Sequence, residues 1–330
     1  MARGPRNRWA VTSDGWKLAL YHYRASGEPR RCGPVMLCHG LGANRYNLAA
    51  PSREINLADY LSDRGHDVWV VELRGAGRSR PPHWPLRRRK SFDFDDYVQR
   101  DAPALIRTVL DFTGATSLHW VGHSMGGMIA YAAMVHFDSR AFRSLVAIAA
   151  PTFTDIQNPW LDMALYARPL LKVVRFLPQR PAGYLGAVFP RTATHFLGQL
   201  VANAEQMDPE HVRRLAPRVL SDLPVGLLSQ LAGWYDGSQG FSQRDGLMRY
   251  WDHLDRVRAP LLAVVGGVDR LTPPLDLKAA FERAGSEDKE LLVVDRAHGF
   301  SADYGHIDLV LGKRARWEVY PHIARWIEAH

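Results

Sequence analysis

The stretch LHWVGHSMGG, at Leu118–Gly127, decides the fold of this chain. Its first four residues predict a short buried strand, and the apolar run Met125–Phe137 predicts a helix. Gly122 and Gly126 stand two residues before and two residues after Ser124, where a strand and a helix that nearly touch leave no room for side chains. A serine on such a tight turn has a strained backbone and projects its hydroxyl above the sheet. The stretch therefore predicts Ser124 as a nucleophile at a strand–turn–helix junction.

The two neighbours of Ser124 have different predicted roles. Met125 lies at the N-terminus of the predicted helix, where backbone N–H groups and the helix dipole favour negative charge. Its N–H is therefore a candidate donor to an oxyanion. His123 lies inside the motif, but its side chain is predicted to point away from the serine hydroxyl. We interpret His123 as a packing residue and not as the catalytic base.

Short apolar runs alternate with helical patterns on both sides of this stretch. Further strands are predicted at Trp16–Tyr23, Val35–Cys38, Val68–Val71, Leu145–Ala149, Leu261–Val265 and Leu291–Val294. Further helices are predicted at Ile55–Arg64, Tyr97–Phe112, Pro274–Ala284 and Val319–Ile327. Short apolar strands separated by helices are typical of a parallel sheet that is covered on both faces. The sequence therefore predicts an α/β fold with a mostly parallel central sheet.

Residues 151–250 have a different pattern. Strand-like runs disappear, and prolines divide the segment into short apolar and aromatic helical pieces. A segment of this length without a strand favours a separate helical unit over ordinary covering helices. We predict a helical cap at residues 153–250, inserted between residues 1–152 and 251–330 of the sheet domain.

A glycine-rich loop follows the predicted strand Val35–Cys38. It reads His39-Gly40-Leu41-Gly42, and its glycines let the backbone approach a ligand closely. In folds with the serine turn described above, the loop after the third strand supplies a second N–H to the oxyanion. Leu41 is the best donor position in this loop. A plain glycine turn is the alternative.

In folds with the serine turn described above, the partners of the serine follow later in the chain, the acid first and the histidine after it. Asp269 follows the strand Leu261–Val265 directly and is the candidate acid, with an ordinary turn aspartate as the alternative. Thr272 and the prolines after it are typical of a helix start. His298 and His306 both follow the last strand, and spacing alone does not choose between them.

Six segments together resemble a known superfamily. They are Asp14–Leu18, Asp67–Val70 with Arg74 and Gly75, Phe94–Tyr97 with Asp101 and Pro103, Leu118–Ser124, Gly267–Asp269, and Tyr304–Leu309 with Gly312. They resemble the α/β-hydrolase superfamily and, within it, the acid-lipase-like and carboxylesterase branch. The resemblance implies the α/β-hydrolase fold and a Ser124–His306–Asp269 triad, because the segment around His306 is similar to the histidine segment of that branch.

The chain departs from this branch in two places. Met125 stands where the branch usually has glutamine, and the predicted cap does not match. Polyhydroxyalkanoate synthases look similar around the histidine but use a cysteine nucleophile. Dehalogenases and epoxide hydrolases place an aspartate there, so Ser124 argues against these three activities.

The resemblance implies a serine carboxylic ester hydrolase that acts through an acyl-enzyme and needs no metal or organic cofactor. The apolar cap predicts a small hydrophobic ester as the substrate. Acyl transfer or thioester cleavage by the same triad is the first alternative. A non-catalytic ligand-binding protein on the same scaffold is the second.

Composition and charge limit the partners and the compartment. The 330 residues carry a net charge of +8, part of it in the run Arg87–Lys90, without a nucleic-acid-binding motif. We therefore expect no nucleic-acid partner, and weak contact with a membrane surface is a further hypothesis. Cys32 and Cys38 do not form a disulfide framework, and Met1–Ala10 lacks the apolar core of a signal peptide. These features predict a cytoplasmic protein, and they leave its oligomeric state open.

Overall fold

The computed structural model describes residues 5–26, 28, 30, 32–82, 91–152 and 176–330. The strands are β1 (Arg6–Val11), β2 (Lys17–Tyr23), β3 (Val35–Cys38), β4 (Val68–Glu72), β5 (Leu118–His123), β6 (Phe142–Ile148), β7 (Phe176–Leu177), β8 (Leu223–Pro224), β9 (Leu261–Gly266) and β10 (Lys289–Val294). The predicted basic run Arg87–Lys90 lies outside the described residues.

The α-helices fall between and after these strands. They are α1 (Leu57–Asp63), α2 (Phe94–Asp96), α3 (Ala102–Thr113), α4 (Met125–His136), α5 (Arg180–Val188), α6 (Pro190–Leu200), α7 (Pro209–Val219), α8 (Val225–Tyr235), α9 (Pro274–Arg283), α10 (Asp308–Leu311), α11 (Ala315–Glu318) and α12 (Tyr320–Ala329). A π-helical turn joins α2 to α3, and short 3₁₀ turns occur in several loops.

Eight of the strands form one sheet in the order β1-β2-β4-β3-β5-β6-β9-β10. Within this sheet, the neighbours β4, β3, β5, β6, β9 and β10 pair in parallel. At one edge, β2 pairs antiparallel with both β1 and β4. The prediction of an α/β fold with a mostly parallel central sheet is confirmed. Because parallel strands end at the same edge of a sheet, the loops after β3, β5 and β9 meet there.

The sheet is covered on both faces because its strands carry apolar side chains on both sides. In β3, Met36 and Cys38 pack with helices α3 and α4, and Val35 and Leu37 pack with helices α1 and α12. All four side chains are buried. Alternate residues of one strand thus enter two separate hydrophobic cores, as the period of two in a strand requires.

The structure differs from the sequence prediction at the N-terminus. No strand is predicted for Arg6–Val11, but this polar, basic segment forms strand β1 and pairs antiparallel with β2. Its residues do not alternate between buried and exposed, because most of them are exposed on an edge strand. An edge strand needs no second apolar face, and this weakens its signal in the sequence.

The described part of the predicted cap, residues 176–250, is mostly helical and contains α5 to α8. It also contains the two-residue pair β7 and β8, so the prediction of a segment without strands is wrong in this detail. The pair joins Phe176 and Leu177 to Leu223 and Pro224. Residues 153–175 of the predicted cap lie outside the described part of the chain, and the division into three parts stays a prediction.

Candidate active site

The turn between β5 and α4 holds Ser124 in a strained conformation. Its φ is 53° and its ψ is −122°, a left-handed region that residues with side chains rarely adopt. A Cβ atom on Gly122 would lie 2.4 Å from the backbone of Gly126, and one on Gly126 would lie 2.3 Å from the carbonyl oxygen of Cys38. Strand, turn and helix therefore fit together only because both positions are glycine.

The backbone around Ser124 is fixed, whereas its hydroxyl is free. The Ser124 N–H donates to the carbonyl of Ile148 at 2.7 Å, and the Ser124 carbonyl accepts from the N–H of Gly127 at 2.9 Å. The residue is 9% exposed. Within the described residues, no hydrogen bond occupies the Ser124 hydroxyl. The backbone of Ser124 is therefore held in place, and its hydroxyl remains open to a partner or a substrate.

Asp269 and His306 form a buried hydrogen-bonded pair. Asp269 Oδ2 lies 2.8 Å from His306 Nδ1, and both side chains are nearly inaccessible. Because a carboxylate only accepts hydrogen bonds, Nδ1 carries the hydrogen. His306 Nε2 is then the ring nitrogen that can accept a proton from elsewhere.

Three further donors hold the Asp269 carboxylate. The Thr272 hydroxyl donates to Oδ2 at 2.6 Å, and the N–H groups of Leu271 and Thr272 each donate to Oδ1 at 2.9 Å. Burial alone raises the pKa of Asp269, but His306 and these hydrogen bonds outweigh it, so the pKa is lowered from its ordinary value. Asp269 therefore remains a carboxylate at neutral pH and fixes the orientation of the His306 ring.

The loop that carries His306 is anchored to the predicted cap. The N–H groups of His306 and Ile307 both donate to the carbonyl of Val201, at 3.2 and 3.0 Å. The buried carboxylate of Asp308 accepts from the N–H of Gly305 at 2.9 Å and from the N–H of Asn203 at 3.2 Å. The position of His306 thus depends on the segment just after helix α6.

Asp308 is itself an unusual group. Burial raises its pKa to about 7, although the backbone N–H groups of Gly305 and Asn203 partly oppose this effect. The nearby charge of Asp269 contributes to this raised pKa. Asp308 therefore changes charge within the range of pH in which most enzymes work.

His123 joins three parts of the site. Its Nδ1 lies 3.0 Å from Asn47 Oδ1, and its Nε2 lies 3.1 Å from the carbonyl oxygen of His306. Burial, followed by the neighbouring His306, lowers the pKa of His123 to about 3, so its ring is neutral and donates to one of these two acceptors. Its ring centroid is 5.0 Å from that of His306, which places the serine turn beside the His306 loop.

The loop after β3 is held in a defined orientation. His39 Nε2 accepts from the N–H of Leu73 at 3.2 Å, so Nδ1 carries the hydrogen and donates to the Gly40 carbonyl at 2.9 Å. Burial lowers the pKa of His39 to about 4, which keeps the ring neutral. Because N–H and C=O point in opposite directions in a trans peptide, the N–H of Leu41 points away from His39.

The N–H groups of Leu41 and Met125 are both available. Within the described residues, no protein acceptor is bonded to either N–H. The Gly40 N–H, by contrast, donates to Asn47 Oδ1 at 3.1 Å, the same oxygen that faces His123. Asn47 therefore ties the loop after β3 to the serine turn.

Comparisons with known proteins identify the family of this chain. A family model described as the alpha/beta hydrolase fold matches residues 33–303. The chain belongs to the α/β-hydrolase fold family. Lipase member K of Mus musculus is 25% identical over 96% of this chain and 86% of that protein. Gastric triacylglycerol lipase of Homo sapiens is 31% identical over 51% of this chain and 42% of that protein.

The solved structure of an esterase from Exiguobacterium antarcticum matches the fold. Its TM-score is 0.65 over 98% of this chain and 100% of that chain, with 16% sequence identity. At this identity the likeness concerns the fold alone. Together with the family match, the comparisons confirm the expectation of an α/β-hydrolase of the lipase or esterase type.

The structure separates the two candidate histidines of this hydrolase. His298 is 56% exposed on its side chain, and its Nδ1 lies 2.7 Å from Asp295 Oδ1. His306, not His298, faces Asp269. The five predicted site residues, Ser124, Asp269, His306, Leu41 and Met125, all lie on loops or helix starts at the carboxyl edge of the sheet.

Sequence reasoning missed three residues that shape the site. The sequence favours Thr272 as a helix cap, but Pro273 precedes helix α9 and the Thr272 hydroxyl binds Asp269 instead. Asn47 and Asp308 have no role predicted from the sequence. The spacing of three residues between Asp269 and Thr272 is typical of an aspartate turn and was the available signal.

Metal-ligand clusters and membrane-spanning helices do not occur among the described residues. None of these residues form a group of three or more His, Cys, Asp or Glu arranged to hold a metal ion. No helix among them has the length and apolar character needed to cross a membrane.

Proposed function

We propose that this protein hydrolyses carboxylic esters with a hydrophobic acyl or alcohol group, with Ser124 as the nucleophile. The observation that carries this proposal is the buried Asp269–His306 pair beside the strained turn of Ser124. A nucleophile, a base and an acid that orients the base are the three groups that acyl transfer through a serine requires.

In the first half of the reaction, the Ser124 oxygen attacks the ester carbonyl and its proton passes to His306 Nε2. Asp269, kept ionised, stabilises the imidazolium that forms. The carbon–oxygen bond to the alcohol then breaks, His306 returns the proton to the alcohol, and an acyl-enzyme remains. Water adds in the second half, with His306 again as base, and releases the acid and free Ser124.

The N–H groups of Leu41 and Met125 are the proposed donors to the oxyanion. Neither N–H is bonded to a described acceptor. His39 binds the carbonyl of the Gly40–Leu41 peptide, and Met125 is the first residue of helix α4, so both N–H groups are oriented. Donors that are oriented before the reaction stabilise developing charge at little cost of reorganisation. Removing one such donor in other enzymes costs about 2.7–4 kcal/mol of transition-state stabilisation.

A hydrophobic substrate is supported by the exposed face of helices α5 and α6. Tyr184, Leu185, Val188, Phe189 and Phe196 are each more than half exposed. Residues 176–200 carry arginines and no acidic residue. Exposed apolar side chains in a segment with positive charge are typical of surfaces that contact lipid, so we extend the proposal to weak contact with an anionic membrane surface.

The relatives' names support the same substrate class. Gastric triacylglycerol lipase and lipase member K are named for lipid esters, and the chain aligns with most of the length of the latter. We propose a small hydrophobic ester as the substrate of this chain, held by the predicted cap at residues 153–250.

The test is hydrolysis of p-nitrophenyl esters from acetate to palmitate by the wild type and by Ser124→Ala, His306→Ala and His298→Ala. We expect Ser124→Ala and His306→Ala to lower kcat/KM by at least a thousandfold, and His298→Ala to remain within about twofold of the wild type. Each variant must show an unchanged thermal transition.

Two results would redirect the proposal. Full activity of His306→Ala with loss in His298→Ala would move the base to His298. A folded wild type that cleaves none of the esters would refute simple ester hydrolysis and favour acyl transfer, thioester cleavage or ligand binding without catalysis. Vesicle sedimentation that shows no salt-sensitive binding would remove the membrane contact.

A further inference from the structure

A second cluster of reactive side chains lies at the edge of the sheet opposite the candidate active site. Cys32 precedes β3 and His66 precedes β4, so both residues lie at the amino ends of parallel strands. The sulfur of Cys32 is 3.3 Å from His66 Nδ1. This distance suits an S–H donor and a ring-nitrogen acceptor.

The protonation of His66 follows from its surroundings. Its side chain is fully buried, and its Nε2 has no hydrogen bond to a described residue but lies 3.5 Å from Glu328 Oε1. Burial lowers the pKa of His66, although Glu328 opposes this effect, so the ring is neutral. The hydrogen sits on Nε2, facing the carboxylate, and Nδ1 is left to accept from the Cys32 thiol.

The backbone of Cys32 is held in place by a buried histidine. His119 Nε2 donates to the Cys32 carbonyl at 2.5 Å, and His119 Nδ1 lies 2.8 Å from the Ser144 hydroxyl. Burial lowers the pKa of His119 to about 4, so this ring is also neutral and its single N–H serves the Cys32 carbonyl. The backbone that carries the thiol is thereby held in place beside His66.

Cys32 needs a base to react. Burial raises the pKa of its thiol, and Arg143 and Arg30 only partly oppose this effect. Because the thiolate is the nucleophile, an isolated cysteine in this position would be unreactive. His66 compensates for this loss of thiolate, because a neutral imidazole in contact with a thiol can take its proton during attack.

Cys32 also lines a surface cavity that is open to solvent. The cavity measures about 450 Å³, and its wall includes Arg30, Arg143 and Glu328. This volume lies within the range of small-molecule sites. Glu328 is already paired with Arg30 at 3.4 Å and with Arg64 at 3.4 Å. Arg143 Nε donates to the carbonyl oxygen of His330 at 2.6 Å, and no described residue occupies its other two guanidinium nitrogens, so Arg143 offers positive charge to a ligand at this wall. A small molecule that bears carboxylates fits this charge.

We infer that Cys32 is a modification site that exchanges with small disulfides carrying carboxylate groups, with His66 as the base and Glu328 orienting His66. The Cys32 sulfur attacks one sulfur of the disulfide, and its proton passes to His66 Nδ1. A bond forms between Cys32 and the attacked sulfur, the original S–S bond breaks, and the leaving thiolate takes the proton from His66. The products are a mixed disulfide on Cys32 and one free small thiol.

The experiment follows adduct formation by intact-protein mass spectrometry with glutathione disulfide as the probe. We expect one glutathionyl adduct on the wild type, no adduct on Cys32→Ser, and an unchanged rate for Cys38→Ser, because Cys38 is fully buried. His66→Gln should slow the reaction by at least about tenfold. Glu328→Gln changes the more exposed partner of His66 and should slow the reaction less than His66→Gln. This variant keeps the test valid if His66→Gln does not fold.

The charge of the cavity is tested with a matched probe. Cystamine, a disulfide that carries ammonium groups, should react more slowly than glutathione disulfide, and Arg143→Gln should reduce this difference. Equal rates for the wild type, His66→Gln and Glu328→Gln would overturn the role of the base. Equal rates for the two disulfides would overturn the carboxylate preference. These measurements do not depend on ester hydrolysis.

Discussion

The strained backbone of Ser124 leads to a stability prediction that separates geometry from chemistry. At a φ of 53° and a ψ of −122°, a residue with a Cβ atom stores about 1–3 kcal/mol of strain. Glycine relieves this strain but gives the unfolded chain more freedom, which costs about 0.5–1 kcal/mol. We therefore expect Ser124→Gly to be more stable than Ser124→Ala by up to about 2 kcal/mol, although both lack the hydroxyl and both should be inactive.

The measurement is the free energy of unfolding in urea for both variants. A matched control is Ala279→Gly in helix α9, where no strain exists and glycine should cost about 1 kcal/mol relative to alanine. Glycine should thus stabilise at position 124 and destabilise at position 279. If Ser124→Gly is less stable than Ser124→Ala by as much as the control pair differs, the turn is not strained and the reasoning fails.

Three further predictions test the surroundings of the site. Thr272→Val removes the hydroxyl that binds Asp269 and should lower kcat/KM by about tenfold, whereas Thr272→Ser should keep it; equal losses in both would contradict the role of the hydroxyl. Gly126→Ala places a Cβ 2.3 Å from the Cys38 carbonyl and should lower the free energy of unfolding by at least about 1–3 kcal/mol; a loss below about 0.5 kcal/mol in urea unfolding would refute this contact. Burial raises the pKa of Asp308 to about 7, so the folded state binds its proton more tightly than the unfolded state, and stability should fall as pH rises from about 4 to 7. Asp308→Asn should flatten this decline in the melting temperature, and an unchanged slope would exclude Asp308 as its cause.

The central sheet could be predicted because its strands are buried on both faces. Val35–Cys38 and Val68–Glu72 begin as continuous apolar runs, and runs of this length between turn residues are typical of buried strands. Strand β1 could not be predicted in the same way. Its stability comes from pairing with β2, and this pairing leaves no periodic signal in an exposed edge strand.

The residues of the site also differ in whether a local sequence signal predicts them. The strained turn at Ser124 could be predicted because five adjacent positions, with a glycine on each side of the strained residue, carry the signal. His306 and Asp269 are 37 positions apart, and spacing alone left His298 as an equal candidate. Asn47 lies 76 positions from His123, and only the fold reveals that its side chain joins two loops.

The bonds from Val201 and Asn203 to the His306 loop have a consequence for protein engineering. Hybrids that exchange residues 153–250 for those of another hydrolase would also replace the backbone carbonyl that fixes His306. If the inserted segment has one residue more or fewer just after helix α6, the carbonyl at position 201 moves, and we expect the histidine that it binds to move with it. Exchanges that stop before Val201 keep the recipient's own anchor and leave the bonds to the histidine loop unchanged.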